Sequence, residues 1–398
     1  MSNEVYIIGT GQTKFGEFFN LNIGDLASEA VNKAIENAGI GKDEIRTLFI
    51  GSTVSNSLSQ SSIGGICTRS CSLSSNAYRI ESGNASGAAA FHHAFLSIKS
   101  GLYDVVAVLG IDKLSDYIQN GTIEKILASS IDYQWEYEMG ATLTGLYSFL
   151  TQAHMEEYGT TLEQLAYIPT KNHQNGVLNP KAQYRYAIPL EKFLNAKRIA
   201  DPIGRFDVAT PCDGAAVVIL ASERYIENKK PHSYKVKILS SSAGSDTLAL
   251  QHREKLTELK ATRLAVNDAY NKAKISANDI NVAEVHDSHP IGEILAIEDL
   301  GLVPKGEGGK ATVEGLTALN GKITVNPSGG LKARGDPFGA TGIAQLIEIV
   351  EQIRGNAGKR QVEDVKYGLT QNVMGTGVMS YVSISFTAIP LLFRSSIK

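Results

Sequence analysis

The sequence predicts an α/β fold assembled from two copies of one strand–helix plan, with a differently patterned segment set into the first copy. Three observations predict it. Strand-like and helix-like segments alternate through the first third, as in mainly parallel sheets covered by helices. From about residue 231 the alternation starts again. In each half a glycine-containing turn precedes the third helix, Ser82-Gly83-Asn84 in the first and the run from Asn326 to Gly342 in the second. No fixed-period sequence repeat accompanies these elbows, so the duplication is one of architecture.

The first strand is Val5 to Ile8. An apolar-periodic helix follows from Ile23 to Ala38, with Leu26, Ala30, Ala34 and Ile35 on one face. Leu48 to Ile50 is the next strand, and a glycine- and serine-rich helix occupies Ser62 to Ser70. Ala77 to Ser82 has the pattern of a buried strand; it stops at Gly83-Asn84, and a helix of small residues begins. Small residues at a helix start let a backbone or ligand come close, and the helix end offers unpaired N–H groups. A strand-to-helix elbow of this kind presents one side chain to a substrate. Here that side chain is Asn84, for which a plain N-cap is the simpler reading of these residues alone. Val105 to Leu109 closes this series as the fourth strand.

From Ser115 to Arg205 the pattern breaks into a helical and loop segment holding Trp135, many tyrosines and the polar run Lys171 to Asn175. Such a segment shapes pockets. Gly214 to Ala221 returns to strand. The second half then gives a strand at Lys235 to Leu239, a helix at Glu258 to Ala273 and a strand at Val282 to His286. A helix at Ile291 to Leu300, a strand at Ile323 to Val325 and a helix at Ile343 to Ile353 follow, with strands at Tyr367 to Thr370 and Tyr381 to Phe386 last. The expected domains are 1–114 with 206–230, the inserted 115–205, and 231–398.

Composition narrows the function classes. Hydrophobic content of 43%, charged content of 20% and 38 glycines describe a compact chain with many tight turns. A net charge of −3 with interspersed signs gives no electrostatic footprint for nucleic acid or an acidic membrane surface. No apolar run approaches bilayer length, and a strand begins almost at the N-terminus, leaving no room for a secretion signal. The C-terminal Ser-Ile-Lys is not the peroxisomal address. Cys67, Cys71 and Cys212 lack framework spacing, so reduced thiols in a cytoplasmic protein are expected.

Several motifs carry competing readings. Gly9 to Gly16 follows a strand but has the wrong spacing for a dinucleotide fingerprint and no P-loop ending, so a turn is expected. Cys67 and Cys71, at i and i+4 with His92 and His93 further on, lack a second ligand pair, so core packing and no metal are expected. His286-Asp287-Ser288-His289 stands at a strand's C-terminal end, where α/β folds place their sites. His286 could orient a water or donate to an oxyanion, and His289 could serve as acid or base. A loop with an Asp-capped helix start explains the same residues. Asp336 begins the third helix of the second half, where the helix dipole stabilises an acid, and it mirrors Asn84. Glycines in Met374-Gly375-Thr376-Gly377 could aim N–H groups at a carbonyl oxygen.

Together these stretches resemble the thiolase superfamily, specifically the sterol-carrier-protein-type and archaeal acetyl-CoA acetyltransferase-like members. The likeness runs through ESGNASGAAA (81–90), the segment 158–184, ATPCDGAAVVILA (209–221), EVHDSH (284–289), VNPSGGLKARGDPFGATG (325–342) and QNVMGTG (371–377). It implies duplicated βαβαβαββ halves in a five-layer α-β-α-β-α arrangement with a loop-domain insertion. It also implies coenzyme A or an acyl-CoA thioester as substrate or ligand, no metal, and a homodimer or dimer of dimers. A small OB-fold partner with a zinc ribbon is a further implication, with no nucleic acid and no membrane.

In such enzymes a cysteine at the elbow takes the acyl group; here Asn84 stands there. Asp336 replaces the histidine of the Gly-His-Pro block, and Ser288 or Met374 stands where a second, proton-moving cysteine is found. His286 alone is unchanged. The resemblance assigns the oxyanion hole to the N–H groups of Asn84 and Gly377, and places Ala243 and Gly244, in the loop after the strand Lys235 to Leu239, along the pantetheine tunnel. The expected function is acyl-CoA binding with thiolytic and Claisen activity lost or strongly reduced. Alternatives are a CoA-thioester enzyme working without a covalent intermediate, an aldol lyase or decarboxylase, and an ordinary acetyl-CoA acetyltransferase.

Overall fold

The computed structural model describes residues 4–53, 61–117, 122–229 and 236–387. The first half runs β1 (Val5–Gln12), α1 (Ile23–Ala38), β2 (Thr47–Gly51), α2 (Ile63–Cys71), β3 (Asn76–Ile80), α3 (Ser86–Lys99) and β4 (Val105–Asp112). Between β4 and the next long strand come α4 (Thr122–Ala128), α5 (Leu143–Tyr158), α6 (Leu162–Leu178), α7 (Leu190–Leu194) and the short pair β5 (Arg198–Ala200) and β6 (Ile203–Gly204). β7 (Gly214–Ser222) and α8 (Glu223–Lys229) follow. The second half is β8 (Val236–Ser245), α9 (Lys260–Ala273), β9 (Val282–Glu284), α10 (Pro290–Asp299), α11 (Gly308–Val313) and β10 (Thr324–Val325). It ends with α12 (Gly330–Arg334), α13 (Thr341–Arg354), β11 (Tyr367–Met374) and β12 (Met379–Thr387).

Among the described residues the long strands form one ten-stranded sheet, in the order β10-β9-β11-β12-β8-β1-β7-β4-β2-β3. Its two ends are the same motif: β3-β2-β4-β7-β1 matches β10-β9-β11-β12-β8, element for element. In each half the two outermost pairings are parallel and the next two antiparallel. The halves join through β1 and β8, with Val5 opposite Ile238. This is the expected duplication, realised in pairing order.

Burial shows why the strands read as continuous apolar runs. Val106 and Val108 of β4 and Ala216, Val218 and Leu220 of β7 enter one core together with Phe91 and Phe95 of α3 and Ile343 and Ile347 of α13. The alternate residues Val105, Ala107, Leu109, Val217 and Ile219 enter a second core with Leu26, Ala30 and Ala34 of α1. In the second half Val282 of β9 joins the central core, and its neighbour Ala283 joins a third core with α9 and α10. Period-2 alternation thus feeds opposite faces of each half-sheet. The outcome is the five-layer α-β-α-β-α stack, with α3 and α13 at its centre.

The two central helices meet at backbone contact. A Cβ on Gly87 would lie 2.2 Å from the Gly339 carbonyl oxygen, and one on Gly342 would lie 2.7 Å from the Ala88 nitrogen. Their glycines are therefore spacers that set the distance between the two elbows.

Several sequence expectations need correction. Gly9 and Gly11 lie inside β1, not in a turn. Side chains there would strike the carbonyls of Ala34 and Ala30, so these glycines let α1 lie directly on the strand. β3 is the sheet's edge and half-exposed rather than buried. β8 continues to Ser245, so Ala243 and Gly244 belong to a strand paired with β12, opposite Tyr381 and Ser380, and not to a loop. Gly244 there faces α9, where a Cβ would stand 2.2 Å from the Ala261 carbonyl. Within the polar run Lys171 to Asn175, which lies in α6, all but Gln174 are buried. Cys67 and Cys71 pack in the α1–α2 core as expected. The C-terminal tripeptide Ser396-Ile397-Lys398 and the first residue of the strand expected at Lys235 lie outside the described residues.

Candidate functional site

Strand ends from both halves, together with α5 from the segment between them, converge on one buried site. At the first-half elbow Gly83 has φ +50, and a Cβ there would meet Ser130 Oγ at 2.4 Å, so the turn requires glycine. Ser86 Oγ accepts the Ser82 N–H at 2.9 Å and donates to the Gly83 carbonyl at 2.5 Å, which pins the turn. Asn84 is buried, and its Oδ1 faces the Gly375 N–H at 3.4 Å. It does not cap α3: Ala85 holds the N-cap position and no side chain caps the helix. The N-cap reading of Asn84 is therefore not realised.

Asp336 occupies the corresponding place in the second half. It does not open α13 itself, as expected from sequence, but precedes a 3₁₀ turn, Phe338–Ala340, that leads into that helix. Its backbone is bridged to Pro211, and its carboxylate accepts the Thr341 hydroxyl at 2.6 Å. Burial raises its pKa to about 6, and neighbouring Asp112 pushes the same way against the bonds from Thr341 and the Phe338 N–H. A carboxyl held above its unfolded value near 3.8 contributes stability that is present below pH 3.8 and is lost as pH rises through 6. Asp336→Asn keeps the acceptor oxygen but removes the titration. Urea unfolding should therefore favour the variant by about 1 kcal/mol more at pH 8 than at pH 5; an equal difference at both pH values would contradict this assignment.

The loop after β9 divides its four polar residues between support and chemistry. The Asp287 carboxylate accepts the Leu331 N–H at 2.6 Å, the Lys332 N–H at 3.3 Å and Asn172 Nδ2 at 2.7 Å. It therefore ties the loop to the start of α12 and to α6. The helix that follows it, α10, starts without a side-chain cap and with Pro290 in its first turn, so Asp287 caps a different helix from the one expected. Asn172 also donates to Glu293, and Lys171 pairs with Glu293 at 2.8 Å, which explains the buried polar face of α6.

His289 stacks on Tyr147 of α5 with centroids 4.1 Å apart and planes 18° off parallel. Its Nε2 lies 3.1 Å from Thr144 Oγ1 and its Nδ1 lies 3.2 Å from Ser288 Oγ. Tyr147 in turn donates its hydroxyl to the Gly375 carbonyl at 2.8 Å. His286 Nδ1 lies 3.1 Å from Asn372 Nδ2 of β11, and its Nε2 is buried without a partner. Burial pushes both imidazoles down to about 3; the Arg334 charge adds to the effect at His286, and His286 itself adds to it at His289. Both rings are neutral at physiological pH.

The hairpin turn between β11 and β12 completes the site. The Gly377 N–H donates to the Met374 carbonyl at 3.0 Å, so the turn itself occupies the amide assigned to the oxyanion hole. The amide turned toward Asn84 is that of Gly375, whose φ of +56 is available to glycine. Arg253 holds the turn through the Thr376 carbonyl at 2.8 Å and hydroxyl at 2.9 Å. Ala243, on β8, is exposed. Contacts join Asn84, the 374–377 turn, Tyr147, His289 and Ser288, and His286 with Asn372, while Asp336 is bonded to Thr341; sequence reasoning missed Tyr147, Thr144 and Asn372. Tyr147 and Thr144 lie in a helix without any motif; Asn372 lies in the QNVMGTG stretch, read for Met374 and its glycines.

All three thiols are buried. Cys212 comes nearest to the chemistry, its N–H donating to the Asp336 carbonyl at 3.3 Å. Burial, with Asp336 and Asp213 adding negative charge, drives its pKa well above the ordinary thiol value. It is therefore no thiolate nucleophile. Among the described residues no group of three or more His, Cys, Asp or Glu side chains could hold a metal ion, and no helix is long and apolar enough to cross a membrane.

Residues 5–198 match the family model described as the thiolase N-terminal domain, and residues 242–387 match that described as thiolase C-terminal domain-like. An acetyl-CoA acetyltransferase of Methanothermobacter thermautotrophicus is 40% identical over 383 residues, covering 96% of this chain and 99% of that protein. Sterol carrier protein 2 of Bos taurus is 32% identical, over 94% of this chain and 70% of that one. Among solved structures, the Ltp2-ChsH2(DUF35) aldolase superposes with a TM-score of 0.84 at 22% identity, over 98% of this chain and 99% of that one. At that identity the likeness is one of fold.

Proposed function

The chain belongs to the thiolase family, and from that premise we propose that it binds acyl-CoA thioesters but has lost, or strongly reduced, covalent acyl transfer. One observation carries this reading: the elbow that should present a thiol presents the Asn84 amide, with its oxygen toward a backbone N–H. An amide nitrogen is not a nucleophile, and no other thiol of the chain is exposed. Asp336 supports the same reading. Above pH 6 it is a carboxylate where the family places a histidine, and it would repel an enolate rather than stabilise one.

A second reading is favoured by that same residue. A buried carboxyl ionising near pH 6 is poised for acid–base work, which an aldol lyase or decarboxylase acting on a CoA thioester would need. In the third, acetyl-CoA acetyltransferase activity of the kind named for the archaeal relative, the missing thiol would have to be replaced. The partners proposed are coenzyme A or its thioesters, a second copy of the chain, and a small protein of the DUF35 kind, as in the name of the aldolase complex. A cytoplasmic location is proposed with them.

The test is to incubate purified protein with acetyl-CoA, and separately with acetoacetyl-CoA plus CoA, measuring both consumption and retention after gel filtration. Retention without consumption is expected. Brisk formation of acetoacetyl-CoA from two acetyl-CoA would overturn the proposal, and release of a free aldehyde or ketone from a hydroxyacyl-CoA would favour the second reading over the first.

A further inference from the structure

His286 is the one chemical position at which this chain keeps the residue expected of its family, and its surroundings determine which ring nitrogen carries the proton. The Gln371 backbone carbonyl, an acceptor only, fixes the polarity of its neighbours. Gln345, on α13, places its Nε2 3.1 Å from that carbonyl, so the side-chain nitrogen must be the atom there. Its Oε1 therefore faces Asn372 and accepts from Nδ2 at 3.0 Å. Reversing the Asn372 amide would set two oxygens against each other, so Nδ2 is fixed in place. The same Nδ2 lies 3.1 Å from His286 Nδ1 and supplies its second hydrogen there.

Nδ1 of His286 is consequently an acceptor, and the ring proton sits on Nε2. That nitrogen is buried and has no hydrogen-bond partner among the described residues, a donor that is costly to leave unmade. The backbone is held as firmly as the ring. The His286 N–H donates to Gln371 Oε1 at 3.0 Å, and Gln371 Nε2 donates to Thr262 Oγ1 at 3.1 Å.

We infer that Gln345 and Asn372 are positioning residues that lock His286 as its Nε2–H tautomer, making it a fixed hydrogen-bond donor toward a thioester carbonyl oxygen. The inference rests on the thioester-binding reading only for the identity of that oxygen. It assigns His286 a single role. A ring whose Nε2 carries the proton and whose Nδ1 is occupied cannot accept a proton from substrate. In the second functional reading, acid–base work then falls to Asp336 or His289. Preorganised donors of this kind act where charge develops on oxygen and need no reorganisation during reaction.

The test uses full-length protein with ¹⁵N-ring-labelled histidine, the His286 signals being assigned by their loss in His286→Asn. With no thioester present, a protonated Nε2 and an unprotonated Nδ1 are expected across pH 5 to 8. Asn372→Asp replaces the donor by an acceptor, so the proton should move to Nδ1, and the preference for acetyl-CoA over free CoA should fall by roughly tenfold or more. Should that variant fail to fold, Gln345→Leu leaves Asn372 free to rotate and should give a mixed tautomer signature. A wild-type ring protonated on Nδ1, a doubly protonated ring at pH 7, or an unchanged tautomer in the folded variants would each overturn the inference. Because the tautomer is read without ligand, loss of acyl-CoA binding with the expected tautomer would count against the functional reading alone.

Discussion

The Asn84→Cys/Asp336→His double variant is expected to gain thiolysis of acetoacetyl-CoA by free CoA, at a rate roughly 100-fold or more above the unmodified chain. The elbow geometry is already built: Gly83 makes the turn, Ser86 pins it and α3 begins just beyond it. A cysteine at position 84 would stand beside the N-terminal end of a 14-residue helix whose dipole favours a thiolate. A carboxylate at position 336 would oppose that thiolate, and an imidazole would support it, so Asn84→Cys alone should recover far less. Effects of residues that act as a unit are not additive, and the comparison should be made on both singles and the double. The assay is loss of acetoacetyl-CoA absorbance with added CoA, with melting curves to confirm that each variant is folded. No gain in a folded double variant that still binds thioester would mean that more than these two groups separates this chain from active thiolases.

Gly87→Ala should be strongly damaging for a single-methyl change, costing about 3 kcal/mol or more. The new Cβ would lie 2.2 Å from the Gly339 carbonyl oxygen, which belongs to backbone and cannot swing away. Relief requires α3 and the turn ahead of α13 to separate, and Asn84 and Asp336 each stand at the start of one of those segments. Urea denaturation should show a lowered midpoint with little change in slope, and acyl-CoA retention should fall in parallel. Gly65→Ala on α2 is the matched control, because its nearest neighbour would be the Ser62 hydroxyl at 3.3 Å, the end of a mobile side chain. Equal losses from the two substitutions would refute the spacing argument.

Legibility varied with the range of the interactions concerned. β4 and β7 could be read directly, because strands buried on both faces are near-continuous apolar runs, and these depart from that only at their last residues, Asp112 and Ser222. β3 was misjudged for the complementary reason: Asn76 to Ile80 looks like a core strand by composition, but whether a strand ends as an edge depends on its neighbours. The glycines at 9 and 11 gave a turn signal, although what demands them is the approach of α1, an element that begins at Ile23. The role of Lys171 to Asn175, within a segment read as helical and loop, was hidden for the same kind of reason, since Lys171, Asn172 and Asn175 bond Asp287, Glu293 and the carbonyls of Val325 and Asn326 in the other half.

The amino-acid order by itself determined the duplicated α/β plan, the two matching elbows and the substitution of an amide and a carboxyl for the expected chemical groups, because periodicity, turn residues and residue identity are local properties. Only the folded chain decided that Asn84 faces Gly375 rather than capping its helix, that Asp287 holds α12, that Tyr147 and Thr144 frame His289, and that Gln345 and Asn372 set the proton on His286. Those outcomes depend on hydrogen bonds and packing between residues far apart in sequence, and a donor's partner is fixed by where the backbone brings it.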